Sequence, residues 1–329
     1  MSRMRAVVIT RAGGPEVLEM QDRPLPVVAR GEVRVRVRAT AVNRADLLQR
    51  MGVYPAPADV PPDIPGLEFA GEISLLGEGV DNWKVGDRVF GLVGGGSYAE
   101  ELVVHGRALA RMPDKLSFID AAAIPEAFIT AYDAMVTQSG LGAGELVLVS
   151  AVGSGVGTAA VQIAHAIGAR SIGTARTADK LERARKLGLH VPVLVSDGKF
   201  ANDVLAASQG RGVDVILELV GGGYLAEDVA CAAHGARIVV VGLLAGARAD
   251  VDLRAVLNKR LLIRGSVMRS RPLEEKIAVM QTFARQVVPL VQKGALRAVV
   301  DRTYTFAEAA EAHAHMASNE GFGKLVLVA

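Results

Sequence analysis

Cysteine and aromatic residues are scarce: the 329-residue chain has one Cys, one Trp and only 4% Phe, Trp and Tyr together. A single cysteine, Cys231, excludes an intramolecular disulfide and every multi-cysteine zinc or iron-sulfur site, and fits a reducing compartment. Excess charge of either sign is missing as well, since 37 Lys and Arg stand against 35 Asp and Glu. Without a run of like charges or a basic, aromatic-interleaved strip, nucleic acid and anionic membranes are not expected partners. Residues 1–10 carry Arg3 and Arg5 but no apolar core of signal-peptide length, and no acid-poor amphipathic segment follows. The expectation is a cytoplasmic protein whose partners are small molecules.

Apolar residue types make up 50% of the chain, with 36 glycines, enough for about two domains with sizeable cores. Residues 146–169 have no formal charge over a length that can span a bilayer. Gly153, Gly155 and Gly157 interrupt them, however, after a β-type run and before apolar residues at helical spacing. A buried strand, a glycine turn and a core helix are expected there, and no membrane span.

The first third is β-rich. Val33 to Arg38 alternates apolar and charged residues with period two, as a half-exposed strand requires, and glycine and proline turns are frequent. From about Gly140 short apolar runs alternate with helical patterns, at 146–149, 170–175, 213–219, 237–243 and 261–267. Runs apolar on both faces belong to a parallel sheet covered by helices. A long helix is expected over 273–292, then strand patterns at 299–305 and 323–328 that rejoin the first domain.

The order of strand 146–149, glycine loop and a helix expected to begin near Thr158 lets backbone N–H groups approach a pyrophosphate at the positive end of a helix. The next strand carries no carboxylate at its end to take a ribose 2'-hydroxyl. It runs instead into Arg176, Thr177 and Lys180, a guanidinium, a hydroxyl and an ammonium suited to a 2'-phosphate, with Asp179 expected to cap the following helix.

Three further stretches carry a family resemblance: Gly66-Leu67-Glu68-Phe69-Ala70-Gly71, Gly86-Asp87-Arg88-Val89 and Asn43-Arg44-Ala45-Asp46-Leu47-Leu48-Gln49-Arg50. With Ile124-Pro125-Glu126-Ala127 and Ser154-Gly155-Val156-Gly157, they resemble the zinc-free, zeta-crystallin-like quinone oxidoreductases of the medium-chain dehydrogenase/reductase superfamily, in particular the tumour-suppressor-inducible branch. The resemblance implies an α/β protein with a GroES-like β-rich catalytic domain (1–123 and 299–329) and a Rossmann doubly wound parallel-sheet domain (124–298). It also implies NADPH as cofactor and a homodimer. Zinc enzymes of the superfamily carry His at the position of Leu67 and Cys at that of Asn43, so no metal is expected.

Carried over position by position, the resemblance puts Asn43, Tyr54 and Thr130 near the nicotinamide, with Asn43 and Tyr54 as the catalytic candidates. Ser154, Gly155 and Val156 fall on the pyrophosphate, and Thr174, Thr177 and Lys180 at the ribose phosphate. Val220, Gly242 and Leu243 fall on the nicotinamide side of the sheet, and Met268, Ser270 and Lys324 complete the cofactor set. Val195 stands where the branch often has Tyr and Arg176 where relatives have Gly, so the phosphate pocket is expected to be rebuilt around Arg176.

The implied activity is NADPH-dependent hydride transfer to a quinone. Reduction of an activated double bond in an enoyl thioester or alkenone is the alternative, and a non-catalytic NADPH-retaining structural or RNA-binding protein a further one. His313 and His315, two apart, diverge on a helix and suggest no metal site. Asp46, at helical spacing from Asn43, is expected to cap or orient. Cys231 reads as a small apolar helix residue.

Overall fold

The computed structural model describes residues 3–329, which form two compact units: the chain up to Ile129 together with Met268–Ala329, and Thr130–Val267.

In the first unit an antiparallel ribbon, Arg3–Ile9 with Leu18–Pro24, accompanies a seven-stranded sheet. The sheet is built on the long strand Glu32–Val42. Its alternation is realised as expected: Val33, Val35 and Val37 are buried, while Arg34, Arg36 and Arg38 turn outward to Glu101 and Glu72. On one side Glu32–Val42 pairs with Glu68–Leu76, and beyond that with Arg88–Leu92. Over its last four residues it pairs with the C-terminal strand Lys324–Val328, with Leu325 opposite Val42. The two ends of the chain thus meet in one sheet, and this register sets Lys324 beside Asn43.

Segment 268–298, expected in the inserted domain, belongs to the first unit. Its apolar face explains why: Ile277, Met280, Phe283 and Val287 are buried, and the Phe283 ring packs edge-on against Phe90 at 5.4 Å. The expected helix over 273–292 is α-helical over Leu273–Thr282, widens into a π turn at Phe283–Val287, and resumes as Val288–Gln292. Pro289, which cannot donate to the helical ladder, sits at the start of the resumed segment.

The second unit is a six-stranded, wholly parallel sheet. Its strands lie in the spatial order Val191–Leu194, Arg170–Ala175, Leu146–Val149, Val213–Glu218, Ala232–Val240, Leu262–Gly265. The chain enters at the centre, winds outward to one edge, then returns to wind toward the other, so the order reverses between Leu146–Val149 and Val213–Glu218. In open α/β sheets that switch point is where ligands bind. Leu148, Ile172, Val193, Ile216, Ile238 and Phe200 form the core between sheet and helices.

The strand expected at 237–243 begins earlier and stops sooner. Its pairing jumps from Ala232 to Arg237 across an irregularity holding Gly235 at φ +74°, and it ends at Val240. The last strand is shorter than expected, and all four of its residues are exposed, Leu262 by 53%. Residues 146–169 are a strand, a turn and a helix, and among the described residues no helix is long and apolar enough to cross a membrane.

Candidate active site

In the second unit, Leu146–Val149 leads through a tight loop into the helix Gly155–Ala166. The helix starts a turn before the expected Thr158, because the Ser154 hydroxyl accepts the Gly157 N–H at 3.0 Å and caps it. Gly157 is obligatory: a Cβ there would lie 2.4 Å from the Ala151 carbonyl oxygen and 2.7 Å from the Val152 Cα. The backbone thus comes close enough for Gly155 and Val156 to present the helix start to a phosphate. Thr174 is buried, and its hydroxyl accepts the Ala151 N–H at 3.3 Å, so it braces this loop from the neighbouring strand.

At the end of Arg170–Ala175, Arg176 and Thr177 are exposed and Lys180 is half-buried. Thr177, not Asp179, occupies the N-cap position of the helix Ala178–Arg185, and its side chain makes no cap bond. Asp179 lies inside the first turn, 3.9 Å from Arg183, where its charge favours the helix N-terminus without capping it.

Two carboxyls absent from the sequence-based candidates govern the loop after Val213–Glu218. Glu218 Oε1 accepts the N–H groups of Val220 and Gly221, fixing the turn that carries Val220. Asp228, from the helix Tyr224–Cys231, is fully buried, and among the described residues neither of its carboxyl oxygens nor Glu218 Oε2 has a hydrogen-bond partner. Burial raises both carboxyls, and the charge of Glu218 raises Asp228 further. The sequence signal was a lone carboxylate ending an apolar strand before three glycines. Gly242 packs against the Leu219 carbonyl, leaving no room for a Cβ, and Leu243 is exposed beside it.

In the first unit, Asn43 caps the helix Arg44–Arg50 and is buried. Its Nδ2 donates to Glu68 Oε1 at 3.0 Å and to the Ala41 carbonyl at 3.1 Å, and its Oδ1 accepts from Lys324. Lys324 Nζ also lies 2.7 Å from Glu68 Oε1. The second Glu68 oxygen accepts the Glu126 N–H at 2.8 Å. Burial works against the Lys324 ammonium, but the Glu68 and Glu126 carboxylates outweigh it and hold its pKa above the usual lysine value. Glu68, at the motif position after Leu67, is a member of this buried cluster that sequence reasoning passed over.

Asp46 orients, as its spacing suggests. One oxygen accepts the Asn43 N–H at 2.8 Å, the other the Gly66 N–H at 3.1 Å, and the Tyr98 hydroxyl adds a third bond at 3.3 Å. Burial pushes its carboxyl up to about 6, against those N–H bonds and the charges of Lys324 and Arg269.

Tyr54 is half-buried in the turn after this helix, where the Leu48 carbonyl accepts its N–H at 3.2 Å. Burial raises its phenol, and Arg269 opposes the rise. Met268 is half-buried and Ser270 exposed on either side of Arg269. Thr130, on the helix Pro125–Tyr132, is buried.

The two histidines diverge on the helix Ala309–Ser318: His313 meets Tyr98 and Arg50, while His315 meets Tyr304. Burial, with help from Arg50, takes His313 down to about 3, so it is neutral.

A doubly wound sheet with a capped glycine loop, joined in one chain to a β-rich unit with a buried Asn-Glu-Lys cluster, defines an NAD(P)H-dependent oxidoreductase. Residues 29–114 match the alcohol dehydrogenase GroES-like domain, and residues 155–285 the zinc-binding dehydrogenase family. The chain is 32% identical to the human quinone oxidoreductase over 329 residues, covering 99% of this chain and 98% of that protein. Among solved structures, a quinone oxidoreductase of Pseudomonas syringae pv. Tomato aligns with a TM-score of 0.88 at 28% identity, covering 99% of this chain and 100% of that one. A mycobacterial protein complexed with NADPH aligns with a TM-score of 0.87 at 25% identity, with the same coverage. The chain belongs to the medium-chain dehydrogenase/reductase superfamily.

Proposed function

We propose that the chain is an NADPH-dependent, zinc-independent reductase of quinones. The observation that carries the cofactor half is the end of Arg170–Ala175, where an exposed guanidinium and an uncommitted Thr177 side chain stand in place of a carboxylate. The glycine loop fits a dinucleotide, since the space a Cβ at Gly157 would need is taken by the loop backbone and the helix start faces outward. Bound NADPH supplies the hydride. The residues of this chain hold and orient it: Ser154, Gly155 and Val156 at the pyrophosphate, Arg176, Thr177 and Lys180 at the 2'-phosphate, and Val220, Gly242 and Leu243 along the nicotinamide. Thr174 supports the loop, and Thr130, Met268, Ser270 and Lys324 complete the cofactor set.

On the acceptor side Tyr54 supplies a hydrogen bond to the oxygen that gains charge as the quinone is reduced, while Asn43, whose two amide hydrogens go to Ala41 and Glu68, holds Glu68 and Lys324 in place. The residues do not fit a catalytic zinc. Leu67 has no donor atom, and the Asn43 amide is committed to Glu68 and Lys324.

A second reading, reduction of an activated double bond, is favoured by one observation: the half-buried Tyr54 carries a phenol O–H that can serve as a proton donor. NADPH oxidation followed with a panel of quinones and enoyl thioesters decides between them, and activity with neither would remove both. The same reading includes a homodimer formed along the exposed edge Leu262–Gly265, with Leu253 and Leu257 nearby on the surface; sedimentation at the mass of one chain would exclude it.

A further inference from the structure

Arg269 is 6% exposed, and all its contacts converge on the surroundings of Tyr54. Its Nε donates to the Gly94 carbonyl at 2.6 Å, one terminal nitrogen to the Tyr54 carbonyl at 3.2 Å, and the other to the Gln49 side-chain oxygen. Gln49 is in turn anchored to the Pro62 carbonyl at 3.0 Å. The guanidinium carbon lies 5.1 Å from the centre of the Tyr54 ring. One side chain therefore ties together the end of the helix Arg44–Arg50, the Tyr54 turn and the glycines at 94–96.

These acceptors are all neutral oxygens, and among the described residues no carboxylate forms an ion pair with Arg269. Asp46 acts on it only through space, its oxygens being taken by Asn43, Gly66 and Tyr98. Burying a cation without a counter-ion is costly, and joining three loops does not require a charge. The aromatic ring beside the charge is that of Tyr54, which shares its field with the more distant carboxyl of Asp46.

We propose that Arg269 is a positioning residue for Tyr54: its fork fixes the ring, and its charge strengthens the phenol as a hydrogen-bond donor to an acceptor oxygen that becomes negative. The inference rests on the placement of Tyr54 at the acceptor. It extends the acceptor class to carbonyl compounds whose oxygen gains charge on reduction. The opposing influences of burial and Arg269 on the Tyr54 phenol agree with it.

The test uses the full chain labelled with 3-fluorotyrosine, whose more acidic phenol titrates at lower pH, with the Tyr54 resonance assigned by Tyr54→Phe. Arg269→Gln should raise the Tyr54 midpoint by about one unit, while Arg269→Lys, which keeps the charge and loses the fork, should move it by less than half as much. In quinone turnover Arg269→Gln should lower kcat/KM several-fold in the parent and have almost no effect in the Tyr54→Phe background. An unchanged midpoint in Arg269→Gln, or an equal loss in both backgrounds, would overturn the proposal. If the parent protein reduces no quinone, the assigned activity falls while the titration still decides whether Arg269 acts on Tyr54. Should Arg269→Gln fail to fold, the Arg269→Lys titration and its turnover in both backgrounds make the decision: a midpoint displaced as far as the full unit refutes the role of the charge.

Discussion

Lys324 Nζ lies 2.7 Å from Glu68 Oε1, and both side chains are buried. The pair joins the C-terminal strand to the motif strand, and Asn43 bridges the two. Removing one member leaves the other as an uncompensated buried charge. Lys324→Met should therefore destabilise the protein by about 3 to 5 kcal/mol in denaturant unfolding. The double variant Lys324→Met with Glu68→Gln should recover a large part of that loss. A Lys324→Met protein as stable as the parent would show that the pair contributes nothing.

Cofactor choice follows from Arg176 and its neighbours. NADPH should bind at least about tenfold tighter than NADH by fluorescence titration, since charge-assisted bonds to the 2'-phosphate contribute about 1.5 to 3 kcal/mol each before exposure reduces them. Arg176→Ala with Lys180→Ala should erase most of the ratio and leave NADH affinity nearly unchanged. Equal affinities in the parent would refute the assignment.

Much of this arrangement was legible in sequence wherever one local rule sufficed. Leu146–Val149 and Arg170–Ala175 have the expected bounds, because a strand buried on both faces is a short apolar run with polar ends. The Asn43 and Asp46 spacing announced a capped helix. Relationships that depend on where the chain returns were not legible. Nothing near Glu68 signals that Lys324 lies beside it, and nothing near Tyr54 signals Arg269; both pairings are products of sheet register and of the segment after Val267 folding onto the first unit. The early start of the helix at Gly155 was missed for a smaller reason, one serine hydroxyl acting as a cap.

Metal independence rests on the donor atoms. With Leu67 apolar and Asn43 bonded to Glu68 and Lys324, purified protein should contain no stoichiometric zinc, and a chelator should not slow quinone reduction. One zinc per chain, with activity lost on its removal, would contradict this.

Asp46 gives a pH dependence of known sign. Its carboxyl titrates near 6 in the folded chain against an ordinary 3.8, so the folded state holds the proton more tightly than the unfolded one. Below 3.8 both states are protonated and Asp46 adds no charge penalty; as pH rises from about 4 to 6 stability falls, and above 6 the loss is complete, about 3 kcal/mol in size. Asp46→Asn has no such titration. Whatever the substitution costs in lost bonds, the stability difference between variant and parent should shift toward the variant by up to about 3 kcal/mol between pH 4 and pH 7. Parallel stability curves over that range would exclude a raised Asp46.

Tyr54→Phe separates the two enzymatic readings, because it removes the hydroxyl and keeps the ring against Arg269. Reducing an enoyl thioester requires a proton at the α-carbon after hydride reaches the β-carbon, and a positioned acid then contributes about 10²- to 10⁴-fold. Reducing a quinone makes no such demand, since the hydroquinone oxyanion is stabilised by hydrogen bonds and takes its proton from water. Quinone turnover should accordingly fall by less than about tenfold in Tyr54→Phe. A loss of roughly a hundredfold or more with quinones would contradict the role assigned to Tyr54. The same loss measured with an enoyl thioester, together with higher parent activity on that substrate, would make double-bond reduction the function.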